Sequence, residues 1–270
     1  MKEYAVMPMA DYKGLCDKIR EKSGKTDPIK SGDLVAEIEE VAGGGDEFPA
    51  DRYFEGGYAE VELPNATKIK PYAFNGDSSL TNISMPKVTS IGTYAFNNCP
   101  SLEIELPSGV TSIGSYAFQS CKKLQLTTLP DGLTKIETYA FAYCSNLALT
   151  SLPSGVTSIG ANAFDNCSSL ALTSLPSSLT NIGVCAFQKC TKLALTELPS
   201  RITVISTQAF KDCTGLKYIV FKGTPSTVSS TVFSNCTNIT DIYVPWAEGA
   251  KAGAPWGATN ATIHYNYTGG

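Results

Sequence analysis

The sequence predicts a solenoid: a stack of short parallel strands, each closed by a turn and a short helical or irregular return. Three columns of residues predict it. An Ala-Phe pair recurs at Phe74, Phe96, Phe118, Phe141, Phe164, Phe187 and Phe210, with Val-Phe at Phe233. Five residues before each Phe stands a β-branched aliphatic, from Ile69 to Val228. Six residues after each Phe stands Leu or Ile, from Leu80 to Ile239. By subtraction, successive Phe residues are 22, 22, 23, 23, 23, 23 and 23 positions apart. A fixed period of this size marks an array of equivalent units, and it is too short for two helices per unit.

Composition agrees. The 270 residues are 43% hydrophobic, enough for a sizeable core. The charged fraction of 17% is low, so the surface is polar but weakly charged. A formal net charge of −4 names no partner. No apolar run is long enough to span a membrane.

Residues 1–45 do not repeat. Leu15 and Ile19 share one face of DYKGLCDKIREKSG, and Leu34, Ile38 and Val41 form a stripe in SGDLVAEIEEVAGGG. With Gly24 as a C-cap and Gly43–Gly45 as a stop, they predict a small helical hairpin and a glycine hinge. Residues 46–64 are expected to cap the array, 65–244 to form the repeats, and 245–270 to cap the far end. Residues 1–62 carry 15 acidic and 8 basic side chains, and residues 63–244 carry 9 and 12. The head is acidic and the repeat body mildly basic.

Within a unit, LEIELP (102–107) alternates apolar and polar residues and predicts a half-buried strand. LALTSLP (147–153) breaks the alternation by one residue, which predicts a bulge. Proline ends the pairing because it lacks an N–H. VTSIG then supplies a β-branched run and a glycine turn, and AFxxC is read as about one helical turn. No unit can bury its own Leu, Ile and Phe, but stacked units share a continuous core.

The pattern CxxL, apolar strand, Pro, xxVTSIGxxAFxxC resembles the BspA-like leucine-rich repeats of bacterial surface proteins, over about residues 61–244. The resemblance implies a right-handed leucine-rich-repeat solenoid used for adhesion or protein binding, with no catalytic residues and no cofactor. Proteins of that type carry an export signal. The opening MKEYAVMPMADYKG has no apolar core of signal-peptide length. The segment ADYKGLCDKIREKSGKTDPIKSGDLVAEIEEV and the ending IYVPWAEGAKAGAPWGATNATIHYNYTGG also resemble the ends of phage and prophage tail-associated proteins of gut Firmicutes. That likeness implies release by lysis. The expected location is therefore an extracellular surface or a virion, or else the cytoplasm until lysis.

Seven of the nine cysteines stand three residues after the repeat Phe, from Cys99 to Cys236. Asp77 fills that position in the first unit. The spacing equals the repeat, and His264 is the one histidine, so zinc-ligand pairing is disfavoured. Stacked rungs are close enough for disulfides. Stacked side chains point the same way, however, and favour a ladder of buried thiols. Cys16 and Cys185 lie outside the column. Cys185 replaces the Tyr of the YAF units and is the thiol expected to react first.

Nothing converges as acid, base and nucleophile. Glu103 and Glu105 share a strand face and read as a solvated pair. No phosphate loop is present, and the Lys residues form no stripe with aromatics, so nucleic acid is not an expected partner. The expected function is a non-enzymatic module that presents one lateral face to a protein or glycan. The alternative is a phage tail structural or receptor-binding component that forms a homo-oligomer through residues 1–42. The middle units show only Ala and Thr on the strand face. The candidate surface is therefore Glu103 and Glu105 together with Lys217, Tyr218, Phe221, Tyr243 and Trp246. Trp246, Trp256 and Tyr265 could instead cover the last open rung, since aromatics at an edge serve either purpose.

Overall fold

The computed structural model describes residues 60–269. The expected helical hairpin at 1–45, residues 46–59 of the expected cap, and Cys16 lie outside the described residues. The chain winds through about nine parallel turns spaced by about 23 residues.

Two strand columns run along the solenoid. The first holds the VTSI segments: β2 (Lys68–Ile69), β4 (Ser90–Ile91), β5 (Ser112–Ile113), β6 (Lys135–Ile136), β7 (Ser158–Ile159), β8 (Asn181–Ile182), β10 (Val204–Ile205) and β12 (Thr227–Val228). In each of the first seven the second residue is Ile and is buried, while the residue before it faces outward. Pairing is parallel within β2-β4-β5 and within β6-β7-β8-β10-β12. The ladder breaks between β5 and β6. There the spacing changes from 22 to 23 residues and Glu137 stands where Gly92 and Gly114 stood.

The second column is regular only near its ends: β1 (Glu60–Glu62) pairs β3 (Asn82–Ser84). Far along the stack, β9 (Glu197–Leu198), β11 (Tyr218–Phe221), β13 (Asp241–Tyr243) and β14 (Thr262–His264) form one parallel sheet. LEIELP departs from expectation here. Its alternation is real, with Leu102 and Ile104 buried and both glutamates exposed, but it is not a strand. Its rung-to-rung bond is Glu103 N–H to Thr81 O, 2.8 Å. In the next rungs two exposed residues in a row, such as Thr150 and Ser151, separate buried Leu149 from Leu152. The extra residue leaves single bonds such as Ala148 N–H to Leu126 O.

The return is not helical either; no helix occurs among the described residues. Each return but the last, which has only Asn235, holds two positions of positive φ. One column runs Tyr72, Tyr94, Tyr116, Tyr139, Asn162, Cys185 and Gln208, and the other runs from Gly76 through Asn98 and Ser120 to Asn235. Such residues cannot continue a right-handed helix. Alternate N–H groups therefore point in different directions. Ala73, Asn75 and Asp77 donate back within the rung, whereas Tyr72, Phe74 and Gly76 donate to carbonyls of the next rung. Every second amide is thus a rung-to-rung bond, which offsets the strain of the left-handed residues.

The core is one continuous column. Rings from Phe74 to Phe233 stack face to face with centroids 5.2 to 5.7 Å apart. Beside them the cysteines form the expected buried ladder, as free thiols. They also do more than fill space. Each Sγ–H donates to the Phe carbonyl of the preceding rung, as Cys144 does to Phe118 and Cys236 to Phe210, at 2.9 to 3.1 Å. Burial pushes the Cys99 and Cys236 thiols up to about 12. Asp77 takes the same place in the first rung. It is buried, and its Oδ1 accepts from Ser79 N–H, Ser79 Oγ–H and Leu80 N–H.

At the far end Trp256 is fully buried and Trp246 nearly so, 6.0 Å apart between centroids. Trp256 Nε1–H donates to Ala252 O. Tyr265 packs against the same core. The aromatic tail therefore closes the last rung.

Truncating Phe141 to Ala should cost about 3–5 kcal/mol, and Cys144→Ala about 1 kcal/mol from its lost hydrogen bond, read from urea melts of the full chain. Alkylation of the native protein by iodoacetamide, followed by peptide mass spectrometry, should modify Cys185 well before any cysteine of the buried ladder.

Candidate binding surfaces

The structure separates the sequence-predicted residues into two groups. Glu103, Glu105, Lys217 and Tyr218 are exposed, and Tyr243 is half-buried. Glu103 pairs with Lys123 Nζ at 3.2 Å, with both side chains largely in solvent. The glutamates lie several rungs from Tyr218 and do not join it. Phe221 and Trp246 correct the expectation: they are only 2% and 7% exposed. Phe221 ends β11 on an inward position of the alternation. Its ring meets Phe233, Trp246 and Trp256, so its role is to plug the core. Neither side chain can belong to an accessible surface.

The outward face of β11-β13-β14 assembles a different set. Register places Tyr218 beside Asp241 and Thr262, and Val220 beside Tyr243 and His264. The Tyr243 and His264 rings stack at 4.4 Å, and Tyr267 leans on Tyr243 at 4.9 Å. His264 Nε2 lies 2.7 Å from Asp241 Oδ1, and Thr240 Oγ1–H donates to Asp241 Oδ2. The His264 hydrogen bond, then that of Thr240, holds the Asp241 carboxyl below its usual range. Lys222, just past β11, and Glu197 on β9 form an ion pair of 3.4 Å. This is a patch of aromatic rings, one carboxylate and one imidazole on a rigid sheet. Sequence reasoning missed His264, Asp241 and Tyr267 because the Phe column ends before them. The alternation of TIHYNY, which mirrors DIYVPW, is the signal that would have found them.

A second aromatic feature runs along the return. Tyr72, Tyr94, Tyr116 and Tyr139 stack at 4.5 to 4.9 Å. Their faces cover one another, so the ladder offers ring edges and hydroxyls to solvent. Burial raises the Tyr94 hydroxyl pKa above its usual value, and the neighbouring tyrosines add to the rise. The ladder stops at Asn162. Beside that stop sits Asp165, buried at 4% exposure. It accepts hydrogen bonds from Asn166 Nδ2 at 2.9 Å and from Tyr143. Burial raises its pKa, against the pull of Tyr143, Lys189 and Asn166. Half-buried Cys185 lies in the field of the same carboxylate. Its thiol is raised by burial first and by Asp165 second, with Lys211 opposing. It is the most accessible described cysteine but not an activated one. Among the described residues no group of three or more His, Cys, Asp or Glu could hold a metal ion.

Comparison with known proteins follows the geometry. The model for the BspA type leucine rich repeat region matches residues 67–194 and 134–248. A crystal structure of a leucine-rich repeat protein from Bacteroides ovatus superposes with a TM-score of 0.55 at 22% identity. That match covers 77% of this chain and 61% of the other, so the chain spans under two thirds of the Bacteroides protein. A leucine rich cell surface protein from Faecalibacterium prausnitzii gives 0.52 at 24% identity, covering 80% and 81%. Both likenesses show the fold. No curated protein matches the sequence.

Asp165 carries a signed pH effect. A carboxyl with a raised folded-state pKa favours the fold while protonated, below its unfolded pKa of about 3.9. That contribution is lost as pH rises through the folded value. Asp165→Asn should therefore raise the melting temperature at pH 7 and lose its advantage at pH 3, measured by thermal melts at both pH values.

Proposed function

Because the chain belongs to the BspA-type leucine-rich repeat family, we propose that it is a non-enzymatic adhesion protein of an extracellular surface, binding its ligand through the outward face of β11-β13-β14. One observation carries this reading. In the middle rungs the same face shows Ala and Thr, whereas here it shows Tyr218, Tyr243, His264, Asp241 and Tyr267 on a hydrogen-bonded sheet. Binding energy concentrates in rigid aromatic side chains with defined polar neighbours, and this is where the repeats stop agreeing with one another.

The patch is prepared for that role. The Tyr243–His264 stack and the Asp241 bond fix the imidazole, so little side-chain freedom is lost on binding. Tyr218 is 42% exposed and has room to pack on an incoming surface. The sealing aromatics Phe221, Trp246 and Trp256 lie directly behind and keep the sheet from yielding.

Beads coated with the full chain should adhere to cultured epithelial cells, and the triple variant Tyr218→Ala, Tyr243→Ala, His264→Ala should lower adherence at least tenfold. Circular dichroism should show the same fold. A folded triple variant with unchanged adherence would refute the proposal.

A further inference from the structure

A second surface lies at the other end of the molecule. A groove of about 640 Å³ runs along the solenoid axis over the first three rungs, at the corner where β2, β4 and β5 turn into the return. Its volume lies within the range of small-ligand sites. Gly92 and Gly114 form part of its floor, each lying so close to the preceding rung that a Cβ would run into the backbone of Pro71 or Thr93, and Glu137, one rung on in the same column, marks the far end. Lys68 stands at the opposite end, exposed and without an ion pair among the described residues.

The walls carry hydroxyls. Thr89 and Thr111, just outside the groove, donate to carbonyls of the preceding rung. The hydroxyls of Ser90, Thr93, Ser112 and Ser115, which line it, bond no protein group among the described residues. The groove thus presents unbonded hydroxyls in successive rungs, Lys68 and Lys70 at one end and the Glu137 carboxylate at the other. It holds no Trp, Tyr or Arg of the kind that anchors a protein partner.

The rung spacing selects among linear ligands. The tyrosines that directly follow Pro71, Thr93 and Ser115 repeat every 4.5 to 4.9 Å. An extended peptide advances about 3.3 Å per residue and falls out of step with that repeat. A pyranose chain lying along the groove advances close to one rung per sugar, so each sugar meets the same pair of wall positions.

We infer that this groove binds a linear glycan, with a uronic acid near Lys68 and a neutral sugar, donating hydroxyls, against Glu137. The proposal shares the reading of the chain as a binding protein but not the surface used for adhesion. Alternating uronic acid and N-acetylhexosamine satisfies both ends, so the probe is a hyaluronan tetrasaccharide titrated into the full chain by calorimetry. Saturable binding is expected, weakened at least tenfold by Lys68→Glu and by Ser112→Trp, both at exposed positions. The neutral tetramer of N-acetylglucosamine should bind at least tenfold more weakly. The triple variant of the β11-β13-β14 face should bind the tetrasaccharide as the unchanged chain does. No binding of the tetrasaccharide, equal binding of the neutral tetramer or of a hexaglutamate peptide, or full binding by folded Ser112→Trp overturns the inference. Loss of adherence with tetrasaccharide binding intact would bear on the adhesive face alone, and the reverse on the groove alone.

Discussion

Everything in this molecule hangs from the phenylalanine of each rung. Its ring stacks on the ring above. From Phe74 to Phe187 its N–H donates to an alanine carbonyl of the next rung, and from Phe74 to Phe210 its own carbonyl receives the thiol of that rung's cysteine. Three kinds of contact thus meet at one residue, and all reach the same neighbour. Aromatic stacking alone is weak and can slide. The two hydrogen bonds fix where the rings sit, so the stack becomes a registered column. The cysteine suits its place because it is small, largely apolar, and still able to donate one bond. With burial holding the thiol protonated, that donor persists across the ordinary pH range.

A scaffold fixed this way leaves its surface free to vary. The outward residues of the middle rungs are nearly uniform, and the rungs that differ lie toward the ends. The aromatic sheet of β11-β13-β14 and the hydroxyl-lined groove beside β2-β4-β5 are both local exceptions laid on the same frame. Each is held for the same reason: the backbone beneath it is bonded from rung to rung. The exceptions that face inward, Asp77 and Asp165, bring carboxylates into the interior; local donors bond Asp165 and one oxygen of Asp77, whose Oδ2 has no partner among the described residues.

Much of the fold was legible because the constraint is periodic. The Phe, Ile and Leu columns marked the inward face of every rung, and the thiol ladder followed from the spacing. Other features had no such signature. LEIELP alternates like a strand, but strand formation depends on whether the neighbouring rung is in step, and the one-residue change in spacing spoils that. AFxxC looks like a helical turn because Tyr, Cys and Gln seldom adopt positive φ. Rung-to-rung bonding imposes that conformation, and side-chain preference gives no warning. Phe221 and Trp246 were misplaced for a related reason. An aromatic near the end of an array can seal or bind, and only the register of β11 decides. Tyr218 and Tyr243 were readable as outward positions, whereas His264 and Asp241 became partners only through the pairing of β13 with β14.

Near-identity of the rungs carries a hazard of its own. A growing stack could dock a rung on the wrong neighbour and still satisfy the Phe, Cys and Ile columns, skipping one unit or borrowing one from another copy of the chain. The odd residues oppose this. Tyr143 with Asp165, Cys185 with Gln208, and Asn235 with Asp212 each join one rung to the next by a contact that other pairs of rungs lack. They act as address labels: the repeated residues make any two rungs stick, and the irregular ones tell each rung which neighbour is its own.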